Sequence, residues 1–268
     1  MASDRWLTFD CYGTLADWNA CMRTALAPLA GSSTALMLAA YHQAELTLEA
    51  RPPWLPYREI LASGVRLAAR GLGIALGEPA DAAEPGHGVP RQAAGPGAGR
   101  GSGRDPGRGA ADDPALAGDP SAVLVRAWPT MTLFDDVAPA LRTLAADGWR
   151  LAILTNCDDD LFATTAPRLP VEFDVVVTAE QSRSYKPDLG HFHRFAELTG
   201  ATPENWIHVG NSWVHDVLPA SRMGLRSVWV DRDLTGHPAK TADRRITAMR
   251  RLPDTVADVS VLPAPSLA

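Results

Sequence analysis

Disulfide bonds have almost nothing to work with in this chain: its 268 residues include three cysteines, Cys11, Cys21 and Cys157. An odd count without zinc-ligand spacing excludes a disulfide framework and a structural zinc cluster, and predicts reduced thiols in a reducing compartment. Cys11 and Cys157 stand beside candidate site residues, where the expected role of each is a small apolar filler. Long apolar runs are missing too. No uninterrupted stretch approaches the roughly 20 residues of a bilayer span, and Met1-Ala-Ser-Asp-Arg5 leads into a strand pattern rather than a signal-peptide core. Positive charge is in deficit: a formal net charge of −6 leaves no general attraction for nucleic acid or an anionic membrane. The expectation is a cytoplasmic protein with neither of those partners, for which a homodimer is the assembly left open.

What the chain does have begins at Trp6-Leu-Thr-Phe-Asp10-Cys-Tyr-Gly-Thr14. An apolar run ends abruptly in a carboxylate and a Gly-Thr turn follows, the way a buried strand hands a reactive side chain to the mouth of a site. Asp10 is the candidate nucleophile, although an isolated Asp-x-x-Gly-Thr serves equally well as a helix cap or turn. Residues 19–29 and 34–48 then carry helical apolar spacing broken by Gly31-Ser-Ser, which predicts a helical hairpin. After the stiff connector Arg51-Pro-Pro-Trp-Leu-Pro, residues 57–76 predict a third helix with Ile60, Leu61, Val65 and Leu72 on one face. Three successive helices do not belong inside a βα alternation and predict a lid inserted after the first strand. From about 77 to 120 the composition turns to Gly, Pro, Ala, Arg and Asp, too poor in apolar surface to offset the entropy of ordering, so a disordered insertion is expected.

Residues 121–127 predict a last lid helix, and Trp128 returns the chain to regular alternation. Helices are expected at 136–147, 159–166, 190–199 and 214–223, and strands at 150–155, 173–178, 206–210 and 227–231. Short β-branched strands separated by helices predict an α/β, doubly wound, Rossmann-like parallel sheet. The expected domains are a core of residues 1–15 and 128–268 and a helical cap of 16–127 that carries the insertion.

Such sheets bind ligands outside the carboxyl ends of their strands, and the polar groups fall there. Asp10 closes the first strand, Thr155-Asn156 the second, Lys186 follows the third, and Gly210-Asn-Ser-Trp-Val-His-Asp216 closes the fourth. Taken singly, each has an ordinary structural role as turn, solvated cation or helix-start charge.

Together and in this order they resemble the haloacid dehalogenase superfamily of hydrolases, over residues 6–13 and 128–230. The segment Ser184-Tyr-Lys-Pro-Asp188 looks like the third motif of that family, and the lid matches the helical cap of one of its branches. The resemblance implies that Asp10 is the nucleophile, Lys186 the cation that orients it, and Asp216 the acid of the last motif. Tyr12, Thr14, Thr155, Asn156, Asn211 and Ser212 are the implied substrate-binding residues. The implied mechanism is covalent: the carboxylate attacks an electrophilic centre, and water hydrolyses the resulting ester or acyl phosphate.

Two departures choose a branch. Phosphatases of the superfamily carry a second Asp two residues after the nucleophile, as the acid that protonates a departing alkoxide. Here that position is Tyr12, and a halide needs no proton. The first acid of the phosphatases' last motif, a magnesium-site residue, is Asn211 here, which weakens a hard-cation site. The chain therefore resembles the type II 2-haloacid dehalogenases, which implies a small anionic 2-haloacid as substrate, no cofactor and no metal. The alternative is a magnesium-dependent phosphatase with Asp10 and Asp216 at the metal, and a third class is a weakly catalytic binding protein on the same scaffold. The cap arginine that cradles halide in the dehalogenases is not found in Ala39-Ala-Tyr41-His-Gln43; Arg51 or Arg58 could substitute from a neighbouring turn, and nothing in the sequence shows that either does. The spacing from Gly210 to Asp216 is closer to a phosphatase's. Trp18, Tyr57 and Trp54 are the expected apolar walls.

Overall fold

A computed structural model describes residues 5–77, 116, 118–238 and 241–262. Its centre is a six-stranded, fully parallel sheet in the order β3-β2-β1-β4-β5-β6. The strands are β1 (Trp6–Phe9), β2 (Arg150–Thr155), β3 (Val175–Thr178), β4 (Trp206–Gly210), β5 (Arg226–Val230) and β6 (Arg244–Ile246). Alternate side chains enter different apolar clusters: Leu7 and Phe9 join the larger one, while Trp6 packs with Leu154, Phe192 and Phe195 on the opposite face. Burial on both faces is why these strands run nearly continuously apolar.

Chain direction across the sheet reverses at β1. The chain steps outward from β1 to β2 and β3, then returns to place β4 on the other side of β1, with Phe9 in register with both Ile153 and Val209. The crevice of a doubly wound sheet opens at such a switch point, and Asp10 stands there.

Among the described residues, four helices lie between β1 and Trp128: α1 (Trp18–Ala30), α2 (Thr34–Glu49), α3 (Tyr57–Gly71) and α4 (Val123–Ala127). Within Trp18–Glu49 one window of 18 residues reaches mean hydropathy 1.2, apolar enough to cross a membrane. The segment is nevertheless two helices: Gly31, at φ +50°, breaks the run, and His42 Nε2 lies 3.3 Å from Asn19 Oδ1. In one straight helix those residues would stand about 34 Å apart, so the expected hairpin forms. The third helix stops at Gly71, earlier than expected. Gly73, in the left-handed region, lets Ile74 N–H reach the Ala69 carbonyl and its own N–H reach that of Arg70, a Schellman cap. The expectation of a disordered insertion falls almost wholly on 78–115, outside the described residues.

The remaining helices are α5 (Val137–Ala146), α6 (Asp159–Thr165), α7 (Ala179–Ser182), α8 (Gly190–Thr199), α9 (Leu218–Arg222) and α10 (Leu252–Ser260). Two expectations need correction here. β3 begins at Val175 instead of 173, because the Asp174 carboxylate accepts from Leu151 N–H and pairs with Arg150 instead of extending the strand. The single helix expected at 214–223 is a π-turn, Trp213–Val217, running into α9. Pro219 has no N–H with which to close an ordinary turn, and Val217 N–H reaches back to Ser212 O at 3.2 Å. β6 and α10 were not expected, although Ile246, Met249, Leu252, Val256 and Val259 are all buried.

Candidate active site

Asp10 follows β1 directly, and its N–H continues the ladder to Val209 O at 2.9 Å. The turn beyond it needs glycine: Gly13 sits at φ +95°, and a Cβ there would fall 2.7 Å from the Asn211 amide. That turn brings Thr14 back, so that its hydroxyl donates to Asp10 Oδ2 at 2.8 Å while accepting from Asn211 N–H at 2.9 Å. The accepted hydrogen bond aims the hydroxyl proton at the carboxylate.

On the other carboxylate oxygen lies Lys186, fully buried, with all three of its donors used. Nζ reaches Asp10 Oδ1 at 2.9 Å, Asp216 Oδ1 at 2.7 Å and Leu154 O at 2.9 Å. Burial alone would lower its pKa, but the two carboxylates outweigh burial and the net shift is upward. Burial is also the largest influence on Asp10. It raises the carboxyl, Asp216 adds to the rise, Lys186 and Thr14 oppose it, and the net is upward. Asp216 goes the other way, because Lys186 and His208 overcome burial and hold it far below the carboxylate range.

Asp216 is itself boxed in. Its Oδ2 accepts from Ser212 N–H at 2.9 Å, and Oδ1 also faces His208 Nε2 at 3.4 Å. Gly210 makes the fit, since a Cβ there would meet the Asp216 carboxylate at 2.3 Å. His208, kept neutral by burial, has Nδ1 2.8 Å from Thr8 Oγ1, which in turn accepts from Trp206 Nε1–H at 2.7 Å. Thr8 therefore spends its proton on Nδ1, leaving Nε2–H to face Asp216.

Above this floor is a cavity of about 350 Å³. Of the expected residues, Asp10, Tyr12, Thr155, Asn156, Lys186, Asn211 and Ser212 line it, as do Trp18 and Tyr57. Thr14 and Asp216 do not line it. They lie beneath the wall as braces, which corrects Thr14 as a substrate contact. Tyr12 borders the cavity, but its hydroxyl is turned away, 3.0 Å from Thr165 Oγ1 and accepting from Trp128 Nε1–H at 3.2 Å. Burial, reinforced by neighbouring thiols, pushes that phenol well above its usual pKa. Asn156 is spent on the backbone of Lys186, accepting from its N–H at 2.8 Å and donating to its carbonyl at 3.0 Å.

Trp54 is no cavity wall: it stacks on Tyr185, ring centroids 5.9 Å apart. Arg51 and Arg58 do not border the cavity either. Arg58 is buried and tied to Asp158 and Asp160 at the start of α6, and the cations that do line the cavity are Lys186 and Arg232, the latter paired with Asp136.

Sequence reasoning missed the opposite wall, where α2 presents Glu45 and Glu49, one turn apart. Glu45 accepts from Tyr41 and Tyr57 and faces His42. Glu49 Oε1 accepts from Asn156 Nδ2 at 3.1 Å, and Oε2 lies 3.4 Å from His215 Nε2. Burial alone would lower the His215 pKa, but Glu49 outweighs it and the shift is upward. The available signal was two acids four apart on one helix face.

The sequence model of haloacid dehalogenase-like hydrolases matches residues 5–224. The chain is 28% identical over 118 residues to (S)-2-haloacid dehalogenase 4A of Burkholderia cepacia, covering 43% of this chain and 49% of that protein. It is 29% identical over 104 residues to glyceraldehyde 3-phosphate phosphatase of Methanothermobacter thermautotrophicus, covering 38% and 46%. The chain thus spans under half the length of either relative. In fold it is similar to the L-2-haloacid dehalogenase from Xanthobacter autotrophicus, with TM-score 0.68 and 18% identity over 95% of this chain and 98% of that one. With a family match over most of its length and the fold to go with it, the chain belongs to the haloacid dehalogenase-like hydrolases.

Proposed function

We propose that this hydrolase uses Asp10 as a nucleophile to displace halide from a small 2-haloacid through an ester intermediate. The observation that carries the reading is the pairing of a restrained carboxylate with a neighbour unable to act as acid. Lys186 and Thr14 hold Asp10 in the cavity wall, while the Tyr12 phenol, two residues on, is half-buried, turned away and hard to ionise. Such a site suits a leaving group that departs as a stable anion. An Asp10 oxygen forms a bond to the carbon bearing the halogen, the carbon–halogen bond breaks with its electron pair, and water then cleaves the ester to a 2-hydroxy acid. Lys186 keeps the attacking group anionic and fixed, and about 350 Å³ suits a small molecule. No arginine from α2 or α3 lines the cavity to serve the halide, so that part of the family pattern is not carried over.

Two features speak for the metal-free reading: Asp216 has both oxygens engaged beneath the cavity, and Asn211 offers a neutral amide where a hard cation favours a carboxylate. Similarity to a phosphatase and the spacing from Gly210 to Asp216 favour phosphate-ester hydrolysis as the second reading. Chloride release from 2-chloropropionate and phosphate release from small phosphate esters, each with and without excess chelator, separate the two. Chloride release that survives chelator is the expected result. Phosphate release that chelator stops and magnesium restores replaces this reading with the second.

A further inference from the structure

An ester on Asp10 is useful only if water removes it, and the braces of Asp10 leave that step without a base. Asp216 has Lys186 and His208 on one oxygen and Ser212 N–H on the other, and it lies outside the cavity wall. Tyr12 is turned away. Glu45 is occupied by two tyrosine hydroxyls.

His215 is differently placed. It borders the same cavity as Asp10, its side chain is 22% exposed, and its backbone N–H is fixed by Ser212 Oγ at 3.1 Å. Nε2 is buried without a hydrogen-bond partner of good geometry, 3.4 Å from Glu49 Oε2, whose side chain is only 4% exposed. With Nε2 enclosed against the carboxylate, the exposed part of the ring is the side that carries Nδ1. Glu49 is anchored in turn: Asn156 Nδ2 donates to its Oε1, and Asn156 is clamped on the backbone of Lys186, the residue that grips Asp10. One chain of contacts therefore ties the imidazole to the carboxylate of Asp10.

We propose that His215 is the general base of ester hydrolysis, held by Glu49 as its positioning residue; this rests on the Asp10 reading above. Nδ1 takes a proton from water as the oxygen attacks Cγ of Asp10. The tetrahedral intermediate collapses with cleavage of the bond from Cγ to the substrate oxygen, and that alkoxide recovers the proton from the imidazolium. Asp10, released as a carboxyl, gives its proton to solvent. Halide departure, needing no proton, is independent of His215.

The test is to mix the full chain and its His215→Gln and Glu49→Gln variants with 2-chloropropionate, quench in acid, and measure intact mass, peptide map and released chloride. In His215→Gln the ester accumulates on the peptide containing Asp10 after a burst of about one chloride per molecule, and turnover thereafter is at least about tenfold slower than wild type. Glu49→Gln keeps an acceptor for Asn156 and accumulates less ester, and it serves if His215→Gln lowers the melting temperature. Imidazole added to His215→Ala restores turnover. Wild-type turnover in His215→Gln, or slowing without ester, overturns the base while leaving Asp10 in place. A wild-type protein that releases no chloride and forms no adduct overturns the Asp10 reading, and the base with it.

Discussion

Replacing Lys186 by methionine tests the centre of the site most directly, because it removes a charge while nearly preserving shape. The ammonium is 1% exposed and lies 2.9 Å from Asp10 Oδ1 and 2.7 Å from Asp216 Oδ1. At an effective dielectric near 20 each contact is worth about 6 kcal/mol before desolvation. Breaking a buried ionic group by deleting one partner costs about 3–5 kcal/mol net, because the partner left behind is uncompensated. The expected loss at pH 7.5 is in that range.

The pH dependence makes the prediction sharper. In the native protein the Lys186 pKa is raised, so its contribution is fully present below the unfolded lysine value and is lost only as pH rises through the folded one. The Asp216 pKa is depressed, so its contribution is present above the unfolded carboxyl value of about 3.9 and is lost as pH falls through the folded one. Neither changes much between pH 5 and 7.5. Asp10, whose pKa is raised, costs stability above its folded value, and that cost eases as pH falls. In the variant the two carboxylates confront each other without a cation, and one retains a proton that the unfolded chain has lost. The deficit should therefore shrink by about 1.4 kcal/mol per pH unit on the acid side of neutrality. Urea unfolding of both proteins from pH 5 to 7.5 measures this. Parallel curves, or a deficit below about 1 kcal/mol, refute the account of Lys186 as the shared counter-ion.

Three shorter predictions follow from other contacts. Asp10→Asn should abolish chloride release without lowering the melting temperature by more than about 5 °C, since an amide is nearly isosteric but no nucleophile; activity above a few per cent of wild type refutes the covalent mechanism. Arg58→Met should cost about 2–3 kcal/mol in urea unfolding, because Arg58 Nε donates at 3.0 Å to Asp158, which is fully buried and also accepts from Tyr57 and Arg58 N–H; a cost below about 0.5 kcal/mol means those two backbone donors suffice for Asp158. Deleting 86–112, a stretch with little apolar surface, should shift the melting temperature by no more than about 3 °C and activity by no more than about twofold, since loop closure varies slowly with length; loss of folding would assign that tract a structural part.

The strand ends were legible because each carries its own local signal. An apolar run stopping at Asp10, another at Thr155 and a third at Gly210 place three polar turns on one edge of any parallel sheet. The helical hairpin was legible for a similar reason, since Gly31 interrupts an otherwise sustained period. Legibility fails where the cause lies far along the chain. β3 starts late because Asp174 pairs with Arg150, and the last motif widens into a π-turn because Pro219 follows it. Arg58 looked available to a ligand only because Asp158 and Asp160, a hundred residues on, are invisible to local reading.

Motif residues also divide in a way that sequence order does not encode. Thr14 and Asp216 belong to the same short motifs as Asp10 and Asn211, yet the turns at Gly13 and Gly210 send them beneath the cavity while their neighbours face it. Floor and wall then answer to different physics. The floor is a closed network around one ammonium, in which every donor of Lys186 is used and any substitution leaves a buried charge or dipole unpaired. The wall across the cavity comes from α2, whose Glu49 makes polar contacts to the core at Asn156 and His215, so it can change without disturbing the floor. A chain can thus keep the carboxylate at the end of β1 while altering what faces it. Here α2 presents two acids and His42 to the cavity, His215 meets them from the turn after β4, and no arginine of α2 or α3 lines the cavity, so the chemistry distinctive of this protein is to be sought there.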